Sequence, residues 1–96
     1  MGSECEEQRF SKITKSKIQL ILNTLRSNGA EVTGSNPWQV DTNKHGVILQ
    51  GNWDEEKASL LVTVLDKSFF VPCSKIWDAI VPLIVNIANM EDPPVA

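Results

Sequence analysis

The sequence predicts a two-layer α+β sandwich: a helix, a three-stranded antiparallel meander and a second helix, with both helices on one face of the sheet. Residues 47–66 carry two runs rich in Val, Ile, Leu, Trp and Thr, which suit β-strands, around a charged turn. Apolar residues recur at helical spacing before and after this hairpin, from Ile18 to Leu25 and from Ile76 to Ile87. The two periodicities together predict one sheet covered by two helices.

The central hairpin joins residues 47–53 to residues 59–66 through a loop at 54–57. This loop length predicts that Leu49 lies opposite Val62 and that Gly51 lies opposite Leu60. Because side chains alternate along a strand, one face of the hairpin then becomes wholly apolar. That face carries Val47, Leu49, Trp53, Leu60, Val62 and Val64.

A third strand is predicted at residues 38–42, closed against the hairpin by the loop 43–46. Counting across this loop places Val40 opposite Leu49 and Trp38 opposite Gly51. The glycine leaves room for the indole ring across the strand. Residues 30–32 form either a short strand or an extended connection, and both alternatives stay open.

The first helix presents one continuous apolar stripe. Ser11 and Thr14 are both acceptable N-caps, so the start of the helix stays open between them. The pair Asn28-Gly29 predicts its C-cap. The stripe consists of Ile18, Ile21, Leu22 and Leu25.

The second helix is predicted to open at Pro72, where a missing N–H has no cost. Pro82 lies inside its apolar pattern and should kink or split the helix, since its ring clashes with the preceding turn. The stripe consists of Ile76, Trp77, Ile80, Leu83, Ile84 and Ile87.

Length and composition predict a single domain at residues 10–89 between flexible tails at 1–9 and 90–96. The net charge of −3 argues against binding to nucleic acid. No apolar run approaches the roughly 20 residues that a membrane span requires. The acidic start of the chain is unlike a secretory signal, so we expect a cytoplasmic location, with Cys5 and Cys73 reduced.

The sequence offers little chemistry, so an enzyme is less expected than a binding protein. His45 suits a solvated turn, and no histidine stands near either cysteine in the chain. Two cysteines and one histidine form no metal-ligand cluster, and no cofactor motif is present, so we expect neither metal nor cofactor. For Cys73, near the start of the second helix, a structural role is favoured over a reactive one.

The leading hypothesis is a small non-enzymatic interaction module that binds another protein or, more specifically, a second copy of itself. Its interface would be the mixed face of the sheet, at Ile48, Gln50, Leu61 and Leu65, because surplus apolar surface often marks a partner. The alternative is a binder or carrier of a small apolar ligand, in a pocket between the sheet and the second helix. Trp77, Val81 and Phe70 would line that pocket.

Overall fold

A computed structural model of the protein describes residues 5–91 and shows five strands and two helices. The strands form one antiparallel sheet in the order β1-β5-β4-β3-β2. The α+β class is therefore confirmed, whereas the three-stranded meander is wrong, because a further strand pairs at each of its edges. The elements are β1 (Gln8–Phe10), α1 (Lys15–Ser27), β2 (Glu31–Gly34), β3 (Trp38–Asp41), β4 (Ile48–Asp54), β5 (Ser59–Asp66) and α2 (Cys73–Ala88).

The two edge strands are too short to show alternation in the sequence. In β1, Gln8 pairs with Val62 and Phe10 pairs with Leu60. Residues 8 and 9, which the sequence assigns to a flexible tail, therefore belong to a strand. Strand β2 pairs with β3, which decides between the two alternatives for residues 30–32 in favour of a strand. Strand β1 pairs with β5, about 50 residues further along the chain, whereas β2 pairs with β3, the next strand in sequence.

The predicted register is correct between β3 and β4 and shifted between β4 and β5. Trp38 pairs with Gly51, as expected. In the hairpin, however, Leu49 pairs with Val64 rather than with Val62. A shift of two residues keeps every side chain on its predicted face.

The shift arises at the turn of the hairpin. Asp54 belongs to β4 and pairs with Ser59, so the turn occupies residues 55–58 and lies one residue later at each end than predicted. One residue in each strand gives the shift of two. The carboxylate of Asp54 accepts a hydrogen bond of 3.3 Å from the backbone N–H of Lys57. Ala58 completes the turn in a left-handed conformation, with φ of 48°.

Helix α1 has the predicted ends, and α2 begins one residue after the predicted start at Pro72. Helix α1 begins after Thr14, which selects the second of the two N-caps, and ends at Asn28. Gly29 follows with φ of 95°, the conformation that a glycine at this position favours. Helix α2 begins after Pro72 and runs without interruption past Pro82, so the split alternative is wrong.

The core lies between the helices and the apolar face of the sheet. Ile18 and Ile21 of α1 and Ile84 of α2 are buried in the same cluster as the inward residues of the sheet. Both helices therefore pack on one face, as the sequence predicts. The buried sheet residues include Phe10, Val40, Leu49, Leu60, Val62 and Val64.

Cys5 and Cys73 form a disulfide bond, so the expectation of two reduced thiols is wrong. The bond joins the chain just before β1 to the first residue of α2. No helix in the described part of the chain is long and apolar enough to cross a membrane. The predicted C-terminal tail lies outside the described residues from position 92 onward, and the predicted N-terminal tail does so at positions 1–4.

Candidate ligand-binding cleft

A cleft of about 560 Å³ opens where the end of α1, the turn between β3 and β4 and the first half of α2 meet. This volume falls within the range of about 300–1,000 Å³ that is usual for small-molecule sites. Its walls are mainly apolar, and they include Leu25, Ala30, Val47, Ile76, Ile80 and Leu83.

Helix α2 supplies the longest wall. Its contributions at positions 76, 79, 80 and 83 follow the spacing of one helical face. Ile76 is buried, Ile80 and Leu83 are half-buried, and Ala79 is exposed. The residues on this side of α2 therefore range from buried in the core to exposed at the cleft. At the exposed position, Ala79 has a small side chain that does not block the opening.

The turn at residues 43–46 is hydrogen-bonded to the other walls. Asn43 donates from Nδ2 to the carbonyl oxygen of Gly29, at the end of α1, over 2.9 Å. The carbonyl oxygen of His45 accepts hydrogen bonds from the backbone N–H of Ser68 at 3.0 Å and from its hydroxyl at 2.6 Å. These hydrogen bonds connect the end of α1, the turn and the segment before α2, so they fix the relative positions of these three segments.

Gly46 allows the close approach of these two segments. Its φ is 67°, and a Cβ atom at this position would lie 3.1 Å from the hydroxyl oxygen of Ser68. A side chain here would push Ser68 away and also strain the backbone. The wall formed by the turn thus depends on a residue without a side chain.

Phe70 stands at the opening of the cleft. It lines the cleft, yet 68% of its surface is exposed. It contacts Phe69 edge to face, with 5.5 Å between the ring centroids, and Phe69 is 93% exposed. The two adjacent rings therefore add exposed apolar surface at the opening of the cleft.

The charged side chains at the cleft are all basic. Among the described residues that line it, Lys44 and Lys75 are cationic, His45 also belongs to the lining, and none is acidic. Lys44 comes from the turn between β3 and β4, and Lys75 from the first turn of α2. The cleft therefore combines apolar walls with a basic rim.

The structure brings one of the three predicted ligand-binding residues to this cleft. Phe70 lines it, whereas Trp77 and Val81 lie outside its lining and are half-buried against the core. Trp77 and Val81 are one turn apart on a different side of α2 from Ile76 and Ile80. Helical spacing in the sequence identifies the apolar positions of α2, but it does not say which of them a neighbouring wall leaves uncovered.

The four predicted interface residues share the sheet face that the helices leave open. Leu61, however, lies between Arg9 of β1 and Asn52 of β4. Ile48 pairs with Asp41 on one side and with Asp66 on the other. Gln50 is half-buried, and Leu65, at the end of β5, is 39% exposed. Polar neighbours thus separate the apolar side chains of this face.

Within residues 5–91, no group of three or more His, Cys, Asp or Glu side chains could hold a metal ion. Comparison with known proteins finds no family model, no curated protein and no solved structure that matches this chain. The fold is a helix-covered five-stranded sheet, and the cleft is the candidate site on it.

Proposed function

We propose that this protein is a non-enzymatic binder of a small apolar ligand, which it holds in the cleft between α1, the sheet and α2. The observation that supports this most strongly is a cleft of about 560 Å³ whose walls are apolar and are joined to one another by hydrogen bonds. A cleft that exists before binding needs little reordering, so more of the contact energy appears as affinity.

Self-association through the open face of the sheet stays a prediction with weaker physical support. Arg9 and the short strand β1 widen this face with polar surface that a three-stranded sheet would lack. An interface core is normally depleted of charge, whereas here Asp41 and Asp66 flank Ile48. The cleft concentrates apolar surface, and the open face disperses it.

The proposed binding has an expected energetic signature. Each methylene group buried in an apolar site contributes about 0.8 kcal/mol, which lowers Kd about fourfold. Among straight-chain alcohols from hexanol to decanol, we therefore expect affinity to rise with each added carbon and to level off once the chain fills the cleft. Isothermal titration calorimetry measures this series directly, with a negative heat-capacity change as its marker.

Phe70 and Phe69 provide a matched pair of variants. We expect Phe70→Ala to weaken binding of the uncharged fluorescent probe N-phenyl-1-naphthylamine by about 1–2 kcal/mol, because Phe70 lines the cleft. Phe69→Ala removes a neighbouring exposed ring outside the lining and should change the affinity little. Equal losses for the two variants would show that the probe binds the exposed rings rather than the cleft.

A second pair of variants tests the cleft by filling it. Ala79→Trp places a large ring in the opening without replacing a buried residue, so it should abolish probe binding while the protein stays folded. Val85→Trp puts the same ring on an exposed position of α2 that does not line the cleft, and it should leave binding intact. Probe binding that survives Ala79→Trp would contradict the proposed function.

A further inference from the structure

We infer that the ligand is an amphipathic anion: a single apolar chain or ring system that carries a carboxylate, held at the basic rim by Lys44 and Lys75. This inference rests on the proposed function and names the class of ligand that the same cleft would select.

The charge of the rim runs against the composition of the chain. The protein has 12 acidic and nine basic residues, yet the charged side chains among the described lining residues are two lysines. They approach the cleft from different elements, one from the turn at residues 43–46 and one from α2. Two cations that line one apolar cleft, with no anionic side chain among the described lining residues, favour an anion there.

The difference in burial between the apolar and the basic lining residues predicts the orientation of the ligand. Val47 and Ile76, which lie along the walls, are buried, whereas Lys44 and Lys75 are exposed. An apolar chain gains most by contact with the buried walls, and an anionic group keeps part of its hydration at an exposed rim. The ligand would therefore bind with its chain inward and its carboxylate between the two ammonium groups.

The N-terminus of α2 adds to the positive potential at the same place. Val71 and Pro72 line the cleft, and Pro72 is the N-cap of this 16-residue helix. The first N–H groups of a helix carry a partial positive charge that favours an anion nearby. The N-terminus of α2 and the two lysines therefore all contribute positive potential at the cleft.

The test compares three ligands that share one chain length: decanoate, 1-decanol and decyltrimethylammonium. Calorimetry at low salt should show decanoate binding roughly three- to tenfold more tightly than decanol, and the cation more weakly than both. Added salt should narrow this difference, because the rim is exposed to solvent. If none of the three binds, the proposed function fails; if all three bind with equal affinity, the function stands and the inference of an anion fails.

A matched pair of double variants locates the selectivity. Lys44→Gln/Lys75→Gln should reduce the affinity for decanoate to that for decanol, with both ligands measured on the same variant. Lys15→Gln/Lys57→Gln removes the same total charge at exposed positions outside the cleft and should preserve the preference. If both double variants lose the preference for decanoate over decanol equally, the preference comes from the net charge of the protein, and the inference is overturned.

A final comparison separates a free amphiphile from a lipid bilayer as the source of the anion. Vesicles of phosphatidylcholine with phosphatidylglycerol, mixed with the protein and sedimented, should leave the protein in the supernatant. Sedimentation with these vesicles, together with no binding of monomeric decanoate, would contradict the inferred free ligand.

Discussion

The ammonium group of Lys17 donates a hydrogen bond of 2.8 Å to the carbonyl oxygen of Ala88, 71 residues further along the chain. Lys17 lies in the first turn of α1 and is only 7% exposed, and Ala88 is the last residue of α2. The final carbonyl groups of a helix have no partner within it and carry a partial negative charge. A buried cation from one helix therefore caps the end of the other.

We expect Lys17→Met to lower the free energy of unfolding by about 1–3 kcal/mol, because Met fills much of the same space but leaves the carbonyl oxygen of Ala88 without this donor. Urea denaturation followed by circular dichroism measures the change. Lys15→Met, at an exposed position of the same helix, should alter stability by less than about 0.5 kcal/mol. Equal effects of both substitutions would argue against a capping role.

The indole of Trp53 makes a second long-range hydrogen bond, from Nε1 to the carbonyl oxygen of Ile13, over 2.8 Å. Ile13 is fully buried, so this oxygen has little access to water once the indole is lost. We expect Trp53→Phe to destabilise the protein by about 1–2 kcal/mol more than Trp38→Phe, since Trp38 is also half-buried but makes no such bond among the described residues. Thermal unfolding of the two variants gives this difference, and identical midpoints would refute it.

The disulfide bond between Cys5 and Cys73 closes a loop with a sequence separation of 68 residues. Restricting a loop of this length in the unfolded chain contributes about 4 kcal/mol by chain entropy. We expect the Cys5→Ala/Cys73→Ala protein to unfold at correspondingly lower urea concentration. The oxidised wild type should show no reactive thiol in denaturant until a reductant is added, and two free thiols in that assay would contradict the bond.

Gly51 offers a stabilising substitution. It lines a void of about 30 Å³ between the sheet and the helices, and a Cβ atom at this position would lie 3.6 Å from the Cδ1 atom of Leu60, an ordinary contact. We expect Gly51→Ala to raise the free energy of unfolding by about 0.5–1 kcal/mol, since alanine reduces the conformational entropy of the unfolded chain. In the control, a Cβ atom at Gly29 would meet nothing within 4 Å, but φ is 95° there, so Gly29→Ala should destabilise instead. A loss of stability for both would contradict this account.

The open sheet face is tested by two adjacent substitutions in β5. Leu61→Lys lies on that face and should leave the protein folded, whereas Val62→Lys lies on the face beneath the helices and should unfold it. If the sequence-based hypothesis of a dimer holds, sedimentation should find the wild type heavier than a monomer and the Leu61→Lys protein monomeric. A monomeric wild type at high concentration would remove that hypothesis.

The assignment of side chains to faces follows from local pattern alone. Alternation predicts that Leu49, Val62 and Val64 point inward, and all three are buried. This held even though the hairpin register was wrong by two residues, because a shift of two does not exchange the faces. The register itself depends on whether Asp54 ends the strand or begins the turn, and its carboxylate can serve either arrangement.

The sequence by itself determined the two helices, the C-cap of the first, and the central strands with their inward faces. Only the tertiary structure decided strand β1, the disulfide bond and the cleft, because each of these depends on segments that lie far apart in the chain. Strand β1 needs β5 as its partner, and Cys5 needs Cys73. The cleft forms where the end of α1, the turn at residues 43–46 and α2 meet, and spacing along the sequence carries no information about a gap between elements.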